Sequence, residues 1–585
     1  MCGILGVVGN ECSLSSVERA MGCQFSRGPD SFGLFQEPGM LFGHRRLAIM
    51  DTSVHSAQPM QFEDLVMVFN GAIYNYREIR LALEQKGYSF YSDGDTEVLL
   101  KGYHCWGREV MEKFNGMFAF AVWDRSTRTL FAARDRLGIK PFYYTLENNT
   151  FKFASTTQAL LQLGVSDTSL NTTALHHYFS LHTVVPAPHT MVNGIKKLAQ
   201  ACSLEFKANS GELKIHDPYW RIPEPRSSGD SYEDCRDQLA EKLELAVKHR
   251  MTAAVDVGVL LSGGLDSSLI TALANQHHPD LHTYSIGFES TDEEKGDEFE
   301  YSDVIVDYFK TTHTQIPIEK SRMLSALPKA VASMAEPMGS HDAIGFYLLS
   351  QEVSRSINVV QSGQGADEIF AGYHWYPKID GSSLSAKDAY EQAFFDRDVE
   401  SMNQLLAGPY HLSHNPSREF LDNWFDRLGT VRAVDKALHI DSGVMLVDDP
   451  VKRVDNMTMA WGLEARVPFL DHEVVEYAFT IPAEYKFQGG GKKILKDVAR
   501  KYIPSDVIDR PKGYFPVPAL KYIRGEYLEM IRSAVDSKQA RERGVVSRKA
   551  LNEMLRAPDD CITRLRGNTL WQYAVLEMWL QSNTL

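Results

Sequence analysis

The stretch that most constrains this chain is Ser262-Gly263-Gly264-Leu265-Asp266-Ser267-Ser268. It follows the apolar run Val257-Gly258-Val259-Leu260-Leu261, which reads as a buried strand. It precedes Leu269-Ile270-Thr271-Ala272-Leu273-Ala274, which reads as a helix. A strand, a turn of small residues and a helix start make the place where an α/β sheet holds phosphate. Paired glycines let an anion approach the backbone, and the open amides of the first helical turn point at it. Asp266 would repel that anion unless a cation lay between them. Mg²⁺ suits this role, because it binds through one or two carboxylates plus phosphate oxygens. The loop has no lysine of the Walker type, so P-loop chemistry is not the reading. Gly-Gly and Asp-Ser also make ordinary capped turns; the flanking strand and helix favour the anion site here.

With 585 residues the chain is too long for one core, and roughly 100–200 residues per domain predicts two to four domains. Its 44% hydrophobic and 23% charged content is that of a soluble globular protein. A net charge of −15 argues against non-specific nucleic-acid binding and against docking to an anionic membrane, since both need basic surface. No apolar run approaches the ~18 residues of a membrane span. The apolar start Met1–Gly9 lacks a basic head and stops at Asn10-Glu11, which predicts no signal peptide. Seven scattered cysteines without a Cys-x-x-Cys pair indicate neither a zinc site nor a disulfide framework, and fit a reducing cytoplasm.

Cys2 directly follows the initiator Met. Loss of Met1 would leave a thiol beside a free α-amino group, with a pKa near ~8, able to act as its base. Position 2 also tolerates any small residue, so Cys2 gains weight only from the residues downstream of it. Arg27-Gly28-Pro29-Asp30 is a turn signal. Gly43 to Asp51 reads as a strand with a basic head, His44-Arg45-Arg46. Leu65 to Phe69 reads as a buried strand ending in Asn70-Gly71. A side-chain amide and a backbone N–H aimed at one oxygen make an oxyanion hole; Asn-Gly is equally the strongest hairpin signal. Asp95, in Asp93-Gly94-Asp95-Thr96-Glu97, opens a helix spanning Val98 to Tyr103 and is placed to meet an ammonium group.

Together these residues resemble the glutaminase domain of class II glutamine amidotransferases, in which an N-terminal cysteine releases ammonia from glutamine. The resemblance covers about 2–220. It implies an N-terminal-nucleophile αββα sandwich with Cys2 as nucleophile and Arg46 on the glutamine α-carboxylate, a job for a bidentate guanidinium. It further implies Asn70 and Gly71 as the oxyanion hole and Asp95 on the α-amino group. Gly116–Ala121 and Ala133–Pro141 fit it, as do the alternating strands Leu130–Ala133 and Phe151–Ala154.

Ile222 to Asp230, rich in Pro, Ser and Gly, reads as a linker. Ser231-Tyr232-Glu233-Asp234 then starts a long amphipathic helix running to about Met251. From 231 to 585, strands alternate with helices, which implies a parallel sheet. Leu281–Phe288 is a second strand. Asn358–Gln361 is a third, ending in Ser362-Gly363-Gln364-Gly365-Ala366-Asp367-Glu368. Ligands sit beyond the C-terminal ends of such strands. Leu261, the Ser262 loop, Ile286 and the Ser362 loop therefore converge on one nucleotide, with Asp266 and Asp367 sharing a Mg²⁺. Asp367-Glu368 could equally be an acidic pair favoured at a helix start by the helix dipole.

The Ser262 loop resembles the pyrophosphate loop of ATP-pyrophosphatases, and this half resembles the synthetase domain of asparagine synthetases, an α/β parallel-sheet fold. The matching stretches are Ser262–Ser268, Ser362–Tyr373, Arg453-Val454-Asp455-Asn456, Trp461–Asp471 and Gly491–Leu495. The resemblance implies ATP and Mg²⁺ as cofactors and adenylation of a carboxylate that ammonia then displaces. It assigns nucleotide contacts to Leu261, Ser262, Gly263, Gly264, Asp266, Ser267, Ile286, Ser362 and Gly363, and phosphate charge to Lys492. Its neighbour Lys493 stays open, and a lysine after a glycine turn is usually exposed.

Two positions depart from asparagine synthetases. Gln364 stands where they carry a glutamate, and Ala335 to Gly345 is not the expected wall of an aspartate pocket. Further stretches resemble the N-acetylglutaminylglutamine amidotransferase family: His176–Tyr178, Val185–Thr190, Gly372–Pro377, Val447–Arg453 and Arg510–Pro518. That resemblance implies an acceptor that is a glutamyl dipeptide on the way to an osmolyte, with Gln364 at the acceptor site. Asparagine formation from aspartate is the runner-up, and a non-catalytic glutamine or nucleotide sensor is the rival of another class. The implied partners are small molecules only, and a homodimer is compatible with them. His341, Asp342, His374 and Trp375 are candidate acceptor readers by position alone.

Overall fold

The computed structural model describes residues 2–9, 13–226, 229–289, 296–510 and 523–585. Most of the Arg510–Pro518 stretch and part of the linker, Ser227-Ser228, lie outside the described residues.

Three sheets organise the chain. The first is antiparallel, in the order Lys196–Lys197, Tyr143–Glu147, Thr150–Ala154, Gly3–Val8, Met40–Arg46, Ser31–Glu37. The second is also antiparallel: Glu212–Ile215, Ser203–Lys207, Thr129–Arg134, Gly116–Asp124, Leu65–Ile73, Met60–Phe62. Alternation along the strands makes the layers. Ile4 and Val8 face Val66, Val68 and Trp123 between the two sheets. Leu5 and Val7 face the helices Leu14–Cys23 and Thr157–Gln162 on one outer side. Met67 and Phe69 face Tyr76–Glu84 and Asp95–Trp106 on the other. The result is the expected αββα sandwich.

The helix Tyr232–His249 follows, with Ser231 Oγ accepting from the Asp234 N–H as its N-cap. The third sheet is parallel: Thr312–Ile318, His282–Phe288, Val257–Leu260, Val359–Gln361, Glu464–Arg466. The chain winds outward from Val257–Leu260 through two strands, then returns to add the last two on its other side. The order therefore reverses between Val257–Leu260 and Val359–Gln361, the crevice where open α/β sheets bind ligands. The flanking loops are the Ser262 loop and the Ser362 loop.

Three expectations are corrected here. The strand read from Gly43 to Asp51 runs Met40–Arg46. Arg46 folds the next segment back by donating to the Ser53 carbonyl at 2.7 Å and the Asp51 carbonyl at 2.6 Å. Asn70-Gly71 is not a hairpin turn, because the strand Leu65–Ile73 passes straight through it, Asn70 opposite Ala119 and Gly71 opposite Phe118. A Cβ at Gly71 would lie 2.2 Å from the Met117 carbonyl oxygen, so the close strand approach selects glycine. The Asp95 helix also starts earlier than read, at Asp95 itself.

Candidate active sites

Cys2 lies at the foot of the strand Gly3–Val8 and is 7% exposed. Its backbone N–H donates to Asn70 Oδ1 at 2.9 Å. That bond fixes the orientation of the Asn70 amide. Asn70 Nδ2 is left buried with no hydrogen-bond partner among the described residues. An unmet buried donor costs about 1–3 kcal/mol, a cost that serves a site where negative charge develops. Arg46 is pinned by its two carbonyl acceptors, and Asp95 Oδ2 accepts from the Ile73 N–H at 2.9 Å. Burial pushes the Asp95 carboxyl up to about 7; the Ile73 bond and Arg466 pull against this and Glu464 adds to it. Burial likewise pushes the Cys2 thiol up, with a Leu47 backbone bond and Arg46 opposing. Cys2, Arg46, Gly71 and Asp95 line one cavity of about 30 Å³. So does Glu464, from the last strand of the parallel sheet, a residue that sequence reasoning did not single out.

The second site is a cavity of about 560 Å³ at the reversal of the parallel sheet. Leu261, Ser262, Gly264, Asp266, Ser267, Ile286, Ser362, Gly363, Gln364, Asp367 and Lys492 all line it. Gly263 does not. Its φ of +71° makes the turn, and a Cβ on it would lie 2.5 Å from the Ser302 nitrogen. Glycine is needed there for the loop's path. The loop is braced internally: the Ser262 N–H donates to Ser267 Oγ at 3.1 Å, and the Gly264 N–H to Ser262 Oγ at 3.3 Å.

Lys492 is buried, not exposed as the glycine-turn reading allowed. It adopts φ 55°, a left-handed conformation rare for a side chain larger than Asn, after three glycines also at positive φ. Its Nζ reaches Asp266 Oδ2 at 2.6 Å and Asp367 Oδ1 at 2.9 Å. Burial alone would lower the ammonium; the two carboxylates outweigh it and raise it. Lys493 points elsewhere, to Asp497 at 3.2 Å and over the Tyr232 ring. Asp266 and Asp367 thus converge on one cation, and no cluster of three acidic, His or Cys side chains suited to a metal occurs among the described residues. Two carboxylates on the wall of this cavity are the donor set Mg²⁺ takes when phosphate and water complete its shell.

Glu368, Arg453 and Arg510 are among the lining residues that sequence reasoning did not single out. Glu368 Oε1 accepts from Tyr373 Oη at 2.6 Å, and burial with Asp367 beside it raises its carboxyl. Arg453 sits 3.4 Å from Asp449 and 3.7 Å from Asp342. Arg510 pairs with Glu298 at 3.1 Å. Of the four acceptor readers proposed by position, only Asp342 lines the cavity. His341 packs on Trp571, His374 is exposed, and Trp375 Nε1 donates to the buried Asp441 at 3.2 Å. Their spacing from the glycine loops carried no information about which way they point.

Buried ion pairs join the two halves. Asp455 takes Arg27 at 2.9 Å and Lys140 at 2.8 Å, which hold its carboxyl near about 2 against the burial that would raise it. Lys197 bridges Glu336 at 2.9 Å and Asp448 at 2.6 Å. Arg27 Nε also donates to the Cys2 carbonyl at 3.2 Å. The signal available in sequence was a run of charges, Asp448-Asp449-Pro450-Val451-Lys452-Arg453-Val454-Asp455, that no solvated helix face explained.

A class II glutaminase pocket joined to a parallel-sheet phosphate cavity defines a glutamine-dependent amide ligase that uses ATP. Comparison with known proteins agrees. Residues 238–581 match the asparagine synthase family and residues 1–220 the glutamine amidotransferase domain. The chain belongs to the asparagine synthase family. It is 32% identical to the glutamine-hydrolysing asparagine synthetase 1 of Bacillus subtilis, over 92% of this chain and 90% of the relative. It is 31% identical to asparagine synthetase 3 of the same organism, over 95% and 93%. Among solved structures, the glutamine phosphoribosylpyrophosphate amidotransferase of B. subtilis covers 48% of the chain and 65% of its own at 16% identity; its TM-score of 0.29 is too low to carry an argument. The catalytic family sets aside the reading as a sensor. No described helix is long and apolar enough to cross a membrane.

Proposed function

We propose that the chain amidates the carboxylate of a glutamyl dipeptide with ammonia from glutamine, in formation of the osmolyte N-acetylglutaminylglutamine amide. The observation that carries the acceptor reading is Gln364, a neutral amide on the wall of the phosphate cavity. In the resemblance to asparagine synthetases that position belongs to a glutamate. An amide neither takes a proton nor repels an anionic acceptor.

The steps follow from the two cavities. Cys2 Sγ attacks the glutamine side-chain carbonyl, with the α-amino group freed by loss of Met1 as its base. The oxyanion is met by Asn70 Nδ2 and the Gly71 N–H, while Arg46 and Asp95 hold the glutamine α-carboxylate and α-ammonium. Ammonia leaves, and water hydrolyses the γ-glutamyl thioester to glutamate. In the other cavity an oxygen of the acceptor carboxylate attacks the α-phosphorus of ATP, and pyrophosphate leaves along the Ser262 loop. Lys492 offsets the charge on phosphate. Ammonia, passing internally, then displaces AMP to give the amide. Mg²⁺, held by Asp266 and Asp367, would neutralise phosphate charge. We place the domains at 2–220 and 231–585, and propose a cytoplasmic enzyme.

The names of the relatives, asparagine synthetases, favour a second reading, asparagine formation from aspartate. Incubation with Mg-ATP, amide-¹⁵N-glutamine and each acceptor in turn separates the two by mass spectrometry. Labelled dipeptide amide is expected. Labelled asparagine with no labelled dipeptide amide would overturn the proposal.

A further inference from the structure

A third cavity, of about 530 Å³, opens at the joint between the two halves and shares no lining residue with either catalytic cavity. Its volume is in the range of small-molecule sites, about 300–1,000 Å³. Its walls carry the aromatic rings of Trp220, Phe420 and Trp424, with Leu428 and Val444 beside them.

The charges around these rings are mostly cationic. Arg136 donates its two terminal nitrogens to the Phe114 and Glu112 carbonyls, but its Nε is buried with no hydrogen-bond partner among the described residues. Arg221 and Arg427 stand exposed at the rim, and neither guanidinium makes a hydrogen bond or ion pair among the described residues. The acidic residues do not cancel this. Asp448 is taken by Lys197 at 2.6 Å, which leaves Glu224 at the rim. His439 receives the Trp424 indole N–H at 3.1 Å, and burial holds its imidazole down at about 4, so it stays neutral near pH 7.

One wall also reaches the ATP cavity. Gly443 packs so tightly on Trp424 that a Cβ would lie 2.6 Å from Cζ2 of the indole. Gly443, Val444 and Asp448 lie in two π-helical turns, Asp441–Met445 and Val447–Val451. Such turns are rare and recur at functional sites. They run directly into the helix Lys452–Met459, whose Arg453 lines the ATP cavity.

We propose that this cavity binds a small planar aromatic anion, and that its occupancy is felt at the ATP cavity through the π-helical segment 441–451. Stacking faces suit a flat ring, and unpaired guanidinium groups suit a carboxylate, sulfonate or phosphate on it. The binding claim is independent of which acceptor the enzyme uses.

Calorimetric titration of the full chain with 1-naphthoate tests it, alongside 1-naphthylmethylammonium and cyclohexanecarboxylate. One naphthoate per chain is expected, with the other two probes at least tenfold weaker and no displacement by ATP or glutamine. Arg427→Glu, on the exposed rim, should weaken naphthoate at least fivefold, and Phe420→Ala provides a second variant. Saturating naphthoate should change the KM for ATP at least twofold in the wild type and not in Arg427→Glu. Four outcomes would overturn the site: no binding, competition with ATP or glutamine, equal binding of the ammonium probe, or undiminished binding in both variants. An unchanged KM for ATP under saturation would overturn the coupling.

Discussion

Cys2, Arg46 and Asp95 are held by main-chain groups or by Asn70, itself fixed in a central strand. Lys492, Asp266 and Asp367 are held largely by one another. The first site is a slot of about 30 Å³, the second a chamber of about 560 Å³. A slot built on backbone holds its catalytic groups in fixed positions. A chamber whose two carboxylates share an ammonium can take Mg²⁺ in its place and leave the lysine for phosphate, and its walls can be re-cut for different acceptors. The generic half-reaction sits on the rigid frame, and the variable one on exchangeable charge.

This contrast can be broken in graded steps. Cys2→Ala should reduce glutamine-dependent amide formation to background while ammonia-dependent formation stays within about twofold, since only the thiol step is lost. Loss of both, measured as product amide, would mean that the sites are not separable. Lys492→Met should slow pyrophosphate release about 10²–10³-fold, the scale of removing one aligned charge from a developing transition state; glutamine hydrolysis without acceptor should be unchanged. Asn70→Ala should lower kcat for glutamine hydrolysis about 10²-fold with KM within about twofold, as a donor used only in the transition state behaves.

Two further tests sharpen the comparison. Asp455→Asn leaves Arg27 and Lys140 without their carboxylate, which should cost about 3–5 kcal/mol in denaturant unfolding near neutral pH. Asp455 titrates low in the fold, so the wild-type advantage should be present above its unfolded value and vanish as pH falls toward about 2. The smallest effect concerns Asp95, raised to about 7. Below that pH it is protonated and cannot pair with the glutamine ammonium. KM for glutamine in the hydrolysis assay should therefore fall about tenfold from pH 6 to pH 8. A flat profile would show that Asp95 does not meet the ammonium.

Much of the architecture was legible because it rests on local signals. The strand before Ser262, the capped helix after Ser231 and the alternating strands of the first half announce themselves by periodicity and turn chemistry. The short strand Glu464–Arg466 did not, because three residues carry no period. It is nonetheless the strand that turns Glu464 into the glutaminase cavity, while the Arg466 carbonyl takes the Ser362 N–H at 2.8 Å. The π-helical turns were equally invisible, since the second holds Asp448, Asp449 and Pro450, which carry no helical period. The hairpin alternative at Asn70-Gly71 shows the limit of a local rule: the dipeptide favours a turn, and the tertiary sheet overrode it.

The sequence by itself determined the chemistry types and their order: a thiol at position 2, an anion loop at 262 and a second acid-bearing loop at 367. Those follow from residue type and nearest neighbours. Only the tertiary structure decided which of Lys492 and Lys493 faces the phosphate cavity, that Gly263 shapes the loop without lining it, and that Asn70 keeps a donor open above Cys2. Each of these depends on the direction of a side chain set by contacts tens to hundreds of residues away, and no local pattern encodes that direction.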